Sequence, residues 1–214
     1  MRPQEVTMGA PLGGPPGLSQ PLSLRLRHAT HDQHAQIEAN PRFARLMAPD
    51  LTRDEYRVLL ARLFGHHAPA EAALGAAAQL LPAALGLPRR LRRTGLLAAD
   101  LVALGMAAPR IAGLPRCQDH AIRSAAEAWG LLYVLEGATL GGQVIARHLA
   151  LTLGLGPQDG AGALVPHGAE TGALWRGFKQ ALDEAAEDPD FDSEATIEAA
   201  RRAFGTLDAW VAGA

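Results

Sequence analysis

One cysteine in 214 residues, Cys117, leaves this chain unable to close an intramolecular disulfide and makes a thiolate metal cluster improbable. Aromatic side chains are scarce, at 5%, which argues against the β-rich cores that such residues usually build. Long apolar runs are also missing. Every apolar stretch is broken by Arg, Glu, Gly or Pro well before the ~18 residues needed to cross a bilayer. Charge of one sign is not in excess, with 20 basic against 22 acidic side chains and a formal net charge of -2. No general basic surface therefore points to nucleic acid or an anionic membrane. The opening stretch MRPQEVTMGAPLGGPPGLSQP has no continuous apolar core of the secretory type, so the expected location is the cytoplasm.

What is present is Ala and Leu in abundance, within a 48% apolar share. Small side chains and good helix formers suit closely packed helices. Residues 1–20, rich in Pro and Gly, read as a disordered tail, and 21–214 as one helical domain. The first helix is expected from Ser19 or Pro21 to about Glu38, ended by Asn40-Pro41. A short helix at Arg42–Met47 follows. Asp50 or Thr52 should cap the next, on which Tyr56, Leu59, Leu60, Leu63 and Phe64 share a face. Gly65 and Pro69 predict a break or bend in it. Further helices are expected at about 91–104, 118–153, 170–187 and 193–211, with 105–115 and 154–168 as loops. The fold class is all-α: a single bundle of about seven or eight helices.

Two segments carry chemistry. In Thr30-His31-Asp32-Gln33-His34-Ala35-Gln36-Ile37-Glu38, helical spacing puts Thr30, His34 and Glu38 on one face. An imidazole steadied by a carboxylate makes a good metal ligand, because the carboxylate fixes the tautomer and raises basicity. Arg27, two turns earlier, can meet an anionic group of a bound molecule. With eight histidines in the chain, a His near a Glu also arises by chance, and His28 and His31 share part of the same face. In the second segment, Leu131 to Val144, Gly137, Gly141 and Gly142 interrupt an apparent helix at about 1 kcal/mol each relative to Ala. Gly137 and Gly141 strip one stripe of side chains, so that a flat ligand or another helix can approach the main chain.

Taken together, the two segments resemble the heme oxygenase family, particularly the biliverdin-producing bacterial type that accompanies bacteriophytochromes. The likeness runs from about Leu22 to Trp210. It is carried by Thr30-x3-His34-x2-Ile37-Glu38 and Tyr133-x3-Gly137-x3-Gly141-Gly142-Gln143. The resemblance implies that His34 is the proximal iron ligand and Glu38 the carboxylate beside it. It assigns Gly137, Gly141 and Gly142 to the catalytic distal surface above the heme. Arg27, and Lys179 on a late helix, match positions that meet the propionates, and Phe204 matches an apolar residue at the heme edge. It further implies that heme is both substrate and oxygen-activating cofactor. O2 and electrons from a ferredoxin or reductase open its ring to biliverdin, carbon monoxide and ferrous iron, and a bacteriophytochrome is a candidate recipient of the biliverdin. No flavin or nicotinamide motif is present, since the glycine stretch follows no predicted strand.

The sequence departs from the family pattern at two points. Ala138 stands where many members carry an Asp that orders water for proton delivery, and Asp183 occupies another late basic position. Ala138 keeps open a non-degrading heme carrier or sensor. A helical interaction module without cofactor is a third reading. A di-iron site is disfavoured because Glu55, Glu71, Glu127 and Glu136 have no His three residues later. A thiaminase-like enzyme would need Cys117 as nucleophile, in a segment that offers it no support.

Overall fold

The computed structural model describes residues 20–213 and is all-helical over them. The expected tail therefore lies outside the described residues except for Gln20. The principal helices are α1 (Leu22–Ala29), α2 (His31–Ala39), α3 (Pro41–Ala44), α4 (Arg53–Ala76), α5 (Leu87–Arg90), α6 (Arg93–Ala103), α7 (Ala108–Ala112), α8 (Ala125–Thr152), α9 (Thr171–Ala185) and α10 (Ser193–Ala212). Single 3-10 turns, among them Arg45–Met47 and Gly162–Leu164, link several of them. None of these helices is long and apolar enough to cross a membrane.

The expected first helix is two helices. Thr30, at φ -107° and ψ 10°, leaves helical geometry between α1 and α2. Its hydroxyl donates to the Leu26 carbonyl at 2.8 Å, while its own carbonyl accepts from His34 N–H. This local bond competes with regular helix and turns the axis. The N-terminus of α1 has no side-chain cap of its own. Asp183 on α9 supplies the acceptor instead, taking the Ser23 N–H and hydroxyl at 2.7 Å each. The residue that departs from the family pattern thus anchors the first helix to α9.

The break expected at Gly65 and Pro69 does not occur, and α4 runs unbroken from Arg53 to Ala76. Proline has no N–H for the Gly65 carbonyl four residues earlier. The Cys117 N–H takes that acceptor at 3.0 Å. Gly65 permits the approach, since a Cβ there would lie 2.4 Å from the Pro115 carbonyl oxygen. Thr52 caps α4 in a reciprocal box with Glu55, as its spacing predicts. Two boundaries also differ from expectation. The 105–115 loop contains α7, and the long helix begins at Ala125 rather than near Gln118, capped by Ser124.

Two apolar clusters fill the interior. The first joins α1, the N-terminal half of α8, α9 and the first half of α10, through Leu26, Trp129, Leu132, Phe178, Leu182 and Ala200. The second joins α4, α6, the end of α8 and the end of α10, through Leu60, Leu97, Leu101, Leu149, Leu207 and Val211. Both α8 and α10 serve the two clusters. Between them, the stretch of α8 from Gly137 to Val144 contributes no buried apolar side chain to either.

Candidate functional site

One face of that stretch, at Leu140, Gly141 and Val144, is open. A Cβ on Gly141 would meet no atom within 4 Å, and Leu140 and Val144 beside it are 39% and 49% exposed, high for aliphatic side chains. Gly137 is half-buried, and a Cβ on it would sit 3.7 Å from the Trp175 indole of α9. Gly142 is placed apart from these two. Its Cβ would lie 2.1 Å from the Leu164 carbonyl oxygen, so it lets the 162–164 turn pack against the far side of α8. The paired glycines at 141 and 142 thus have separate tasks. Gly142→Ala should destabilise the fold by about 1–3 kcal/mol through overpacking. Gly141→Ala should leave stability equal or slightly improved. Urea denaturation of both variants decides this, and equal losses at the two positions would refute the division.

The second element of the site is α2, which has no fully buried residue. It is held by its contacts to α10, where Gln36 and Asn40 both donate to the Asp208 carboxylate, at 3.0 and 2.7 Å. The imidazole of His34 points outward, with 61% of the side chain exposed. Its Nδ1 lies 3.5 Å from Glu38 Oε1, one turn on, which leaves Nε2 as the nitrogen open to a ligand. Phe204 on α10 meets the same ring edge-on, with centroids 6.1 Å apart. His34, Glu38 and Phe204 are therefore together. His28 and His31 are exposed; His31 has a carboxylate of its own, Asp32 Oδ1 at 3.3 Å from Nδ1, but it is His34 that also meets Phe204 of α10.

The basic residues singled out from sequence fall around this region. Arg27 is exposed on α1, close enough to influence Tyr133 on α8. Burial pushes the Tyr133 phenol up, with the Thr30 hydroxyl and the Arg27 charge pulling the other way. Lys179 on α9 holds its ammonium 5.9 Å from the Trp175 ring centroid. Thr30 is buried at the kink and does not share the exposed face of His34 and Glu38.

Sequence reasoning missed the charge cluster behind α8. Glu136, adjacent to Gly137 but turned inward, accepts from Arg90 Nη1 at 2.6 Å, with both side chains under 5% exposed. Arg90 also donates to the carbonyls of Leu85 and Leu174, tying α5, α8 and α9 together. His167 Nε2 lies 3.6 Å from the other Glu136 oxygen. Burial pushes the Glu136 carboxyl up, opposed by Arg90 and Arg93. Arg93, His67, Glu71 and Thr139 join them, with several apolar side chains, in lining a residual cavity of about 10 Å³, room for one water. Arg90 and His167 lie 46 and 31 residues from Glu136 along the chain, and no local pattern announces them.

The fold is that of solved heme oxygenases. The Neisseria meningitidis heme oxygenase, solved with NO and CO bound, superposes with a TM-score of 0.71 at 22% identity, over 90% of this chain and 91% of that one. The Leptospira interrogans enzyme gives 0.71 at 20%, over 90% and 99%. Heme oxygenase-1 of the cyanobacterium Synechocystis sp. PCC 6803, in complex with heme, gives 0.72 at 16%, over 90% and 91%. No curated protein matches the chain in sequence. The heme oxygenase family model matches residues 20–212, and the chain belongs to that family. It is accordingly a heme-degrading enzyme, with heme as substrate and cofactor.

Proposed function

We propose that heme lies between α2 and the Gly137–Val144 stretch of α8, with its iron held by His34 Nε2. The observation that carries this reading is the pairing of an exposed, carboxylate-steadied imidazole with a helix face that lacks side chains. A flat apolar ring can lie against such a face. Leu140, Val144 and Phe204 would line it, and the bare main chain at Gly141 admits the ring closely.

Bound heme iron supplies the site for O2 activation. The protein's own part is to bind, orient and exclude. Glu38 fixes the His34 tautomer so that Nε2 presents its lone pair. Arg27 and Lys179 offer charge to the two propionates. The side-chain-free main chain at Gly137 and Gly141 would let a bound heme and a small diatomic approach α8 closely. With Ala138 contributing no carboxylate, ordering of water for proton delivery falls to main-chain carbonyls of α8. Electrons come from a separate ferredoxin or reductase, and the product is biliverdin, for which a bacteriophytochrome is a fitting recipient.

Titration of the purified protein with hemin should give a saturable histidine-type spectrum. His34→Ala should lose or alter it, and reductant with oxygen should convert the wild-type spectrum to a biliverdin band. An identical spectrum in the two proteins would remove His34 from the role. Stable binding without decay would favour a carrier, the reading that Ala138 supports.

A further inference from the structure

The open strip of α8 is closed at one end and free at the other. At Gly141 nothing approaches within 4 Å, whereas at Gly137 the rim of the Trp175 indole lies 3.7 Å from where a Cβ would be, in van der Waals contact with the strip. This indole is immobilised from several directions. It stacks on Phe178 with centroids 5.5 Å apart and planes 14° from parallel, and it meets Tyr133 at 5.7 Å. Phe178 is itself completely buried, packed on Trp129 at 5.7 Å and lying under the Arg90 guanidinium at 6.0 Å. Arg90 reaches the Leu174 carbonyl, one residue before Trp175, and so sets α9 against α8 at this level. A half-buried indole backed by a core aromatic and a buried ion pair moves little.

We propose that Trp175 is a specificity-determining residue: its indole forms the fixed wall that sets where heme sits in its own plane, and thereby which meso carbon is opened. This rests on the seating of heme between α2 and α8. His34 fixes the iron along one axis but leaves the ring free to rotate about it. Propionates held by long, partly exposed side chains such as Arg27 and Lys179 restrain that rotation only softly. A rigid edge on one side of an otherwise open strip restrains it sharply, because displacements of about 1 Å change which atom lies in reach of the activated oxygen.

The test uses the full-length protein with Trp175→Ala, Trp175→Phe and Lys179→Gln. Biliverdin isomers formed with ascorbate and oxygen are separated by chromatography. The heme methyl resonances of the ferric cyanide complex report the seating without any turnover. Trp175→Ala should retain the histidine-type heme spectrum, displace the methyl pattern, and lower the ratio of the major isomer to the rest at least fivefold. Trp175→Phe, which keeps a stacked ring, should stay within twofold of wild type. An unchanged methyl pattern and isomer ratio in Trp175→Ala would overturn the proposal. So would a Lys179→Gln shift as large as that of Trp175→Ala, since the effect would then belong to the charge. Failure of the heme seating itself would show separately, as a wild-type spectrum indifferent to His34→Ala.

Discussion

Replacing Glu136 by alanine should cost the fold about 3–5 kcal/mol, because it leaves the Arg90 guanidinium buried without its counter-charge. The pair is among the least exposed ionic contacts in the molecule, at 4% and 3%. Most of the loss is the penalty of the stranded charge rather than the worth of the bond. The double variant Arg90→Met, Glu136→Leu should therefore recover a substantial part of it. Recovery stops short of wild type, since the carbonyls of Leu85 and Leu174 lose their Arg90 donor. Urea titrations of the two variants provide the measurement. A Glu136→Ala variant within 1 kcal/mol of wild type would mean that water and the Leu85 and Leu174 carbonyls already solvate the Arg90 guanidinium.

Acid should destabilise the protein before its carboxylates begin to titrate. Four buried histidines are held neutral. Burial is the main cause at each, pushing His66 down to about 3 and lowering His67, His120 and His167. His67 shows why its neutral form is built in: Nδ1 donates to the Leu63 carbonyl at 2.9 Å, and Nε2 accepts from Arg93 at 3.3 Å. His66 packs edge-on against His120, with centroids 4.5 Å apart and neither ring nitrogen of His66 bonded. No group of three or more His, Cys, Asp or Glu among the described residues is placed to hold a metal ion.

The sign follows from proton counting. Below the ordinary histidine pKa, near 6.5, the unfolded chain takes up protons that the folded chain refuses. Stability is therefore complete above about pH 6.5 and falls as pH drops toward the folded values. His66 alone should contribute about 2 kcal/mol of loss between pH 6.5 and 5. The other three add in the same direction. Burial raises the pKa of Asp100 and Glu136, and those shifts act oppositely in the carboxylate range. Denaturation at pH 7.5 and pH 5.0 isolates the histidine effect. His66→Leu should flatten the dependence, and equal stability at the two pH values would show that the rings are already charged in the fold.

Much of this molecule was legible from local pattern. The apolar face of α4 is buried where helical spacing puts it, Thr52 of its two candidate caps is the one used, and α6, α9 and α10 begin and end within two residues of the spans read from sequence. His34 and Glu38 were within reach because a four-residue spacing is itself the geometry that joins them. The rest depends on partners distant in sequence. Pro69 continues its helix only because Cys117, 48 residues later, satisfies the carbonyl that the proline abandons. Gly141 and Gly142 are indistinguishable in sequence, and only the turn at Leu164 separates their tasks. Glu136 looks like one more helical carboxylate until Arg90 is seen beneath it.

The bare stretch of α8 between Gly137 and Val144 has a bearing on the life of the enzyme between turnovers. On the proposed seating, the porphyrin would cover that stretch and add apolar contacts that neither cluster supplies. Folding and catalysis then share a component that catalysis destroys. Once the macrocycle is opened, the product is neither rigidly flat nor tethered through iron, and it can no longer cover that stretch in the same way. On that seating, each cycle would end with the bare face of α8 uncovered again for the next heme.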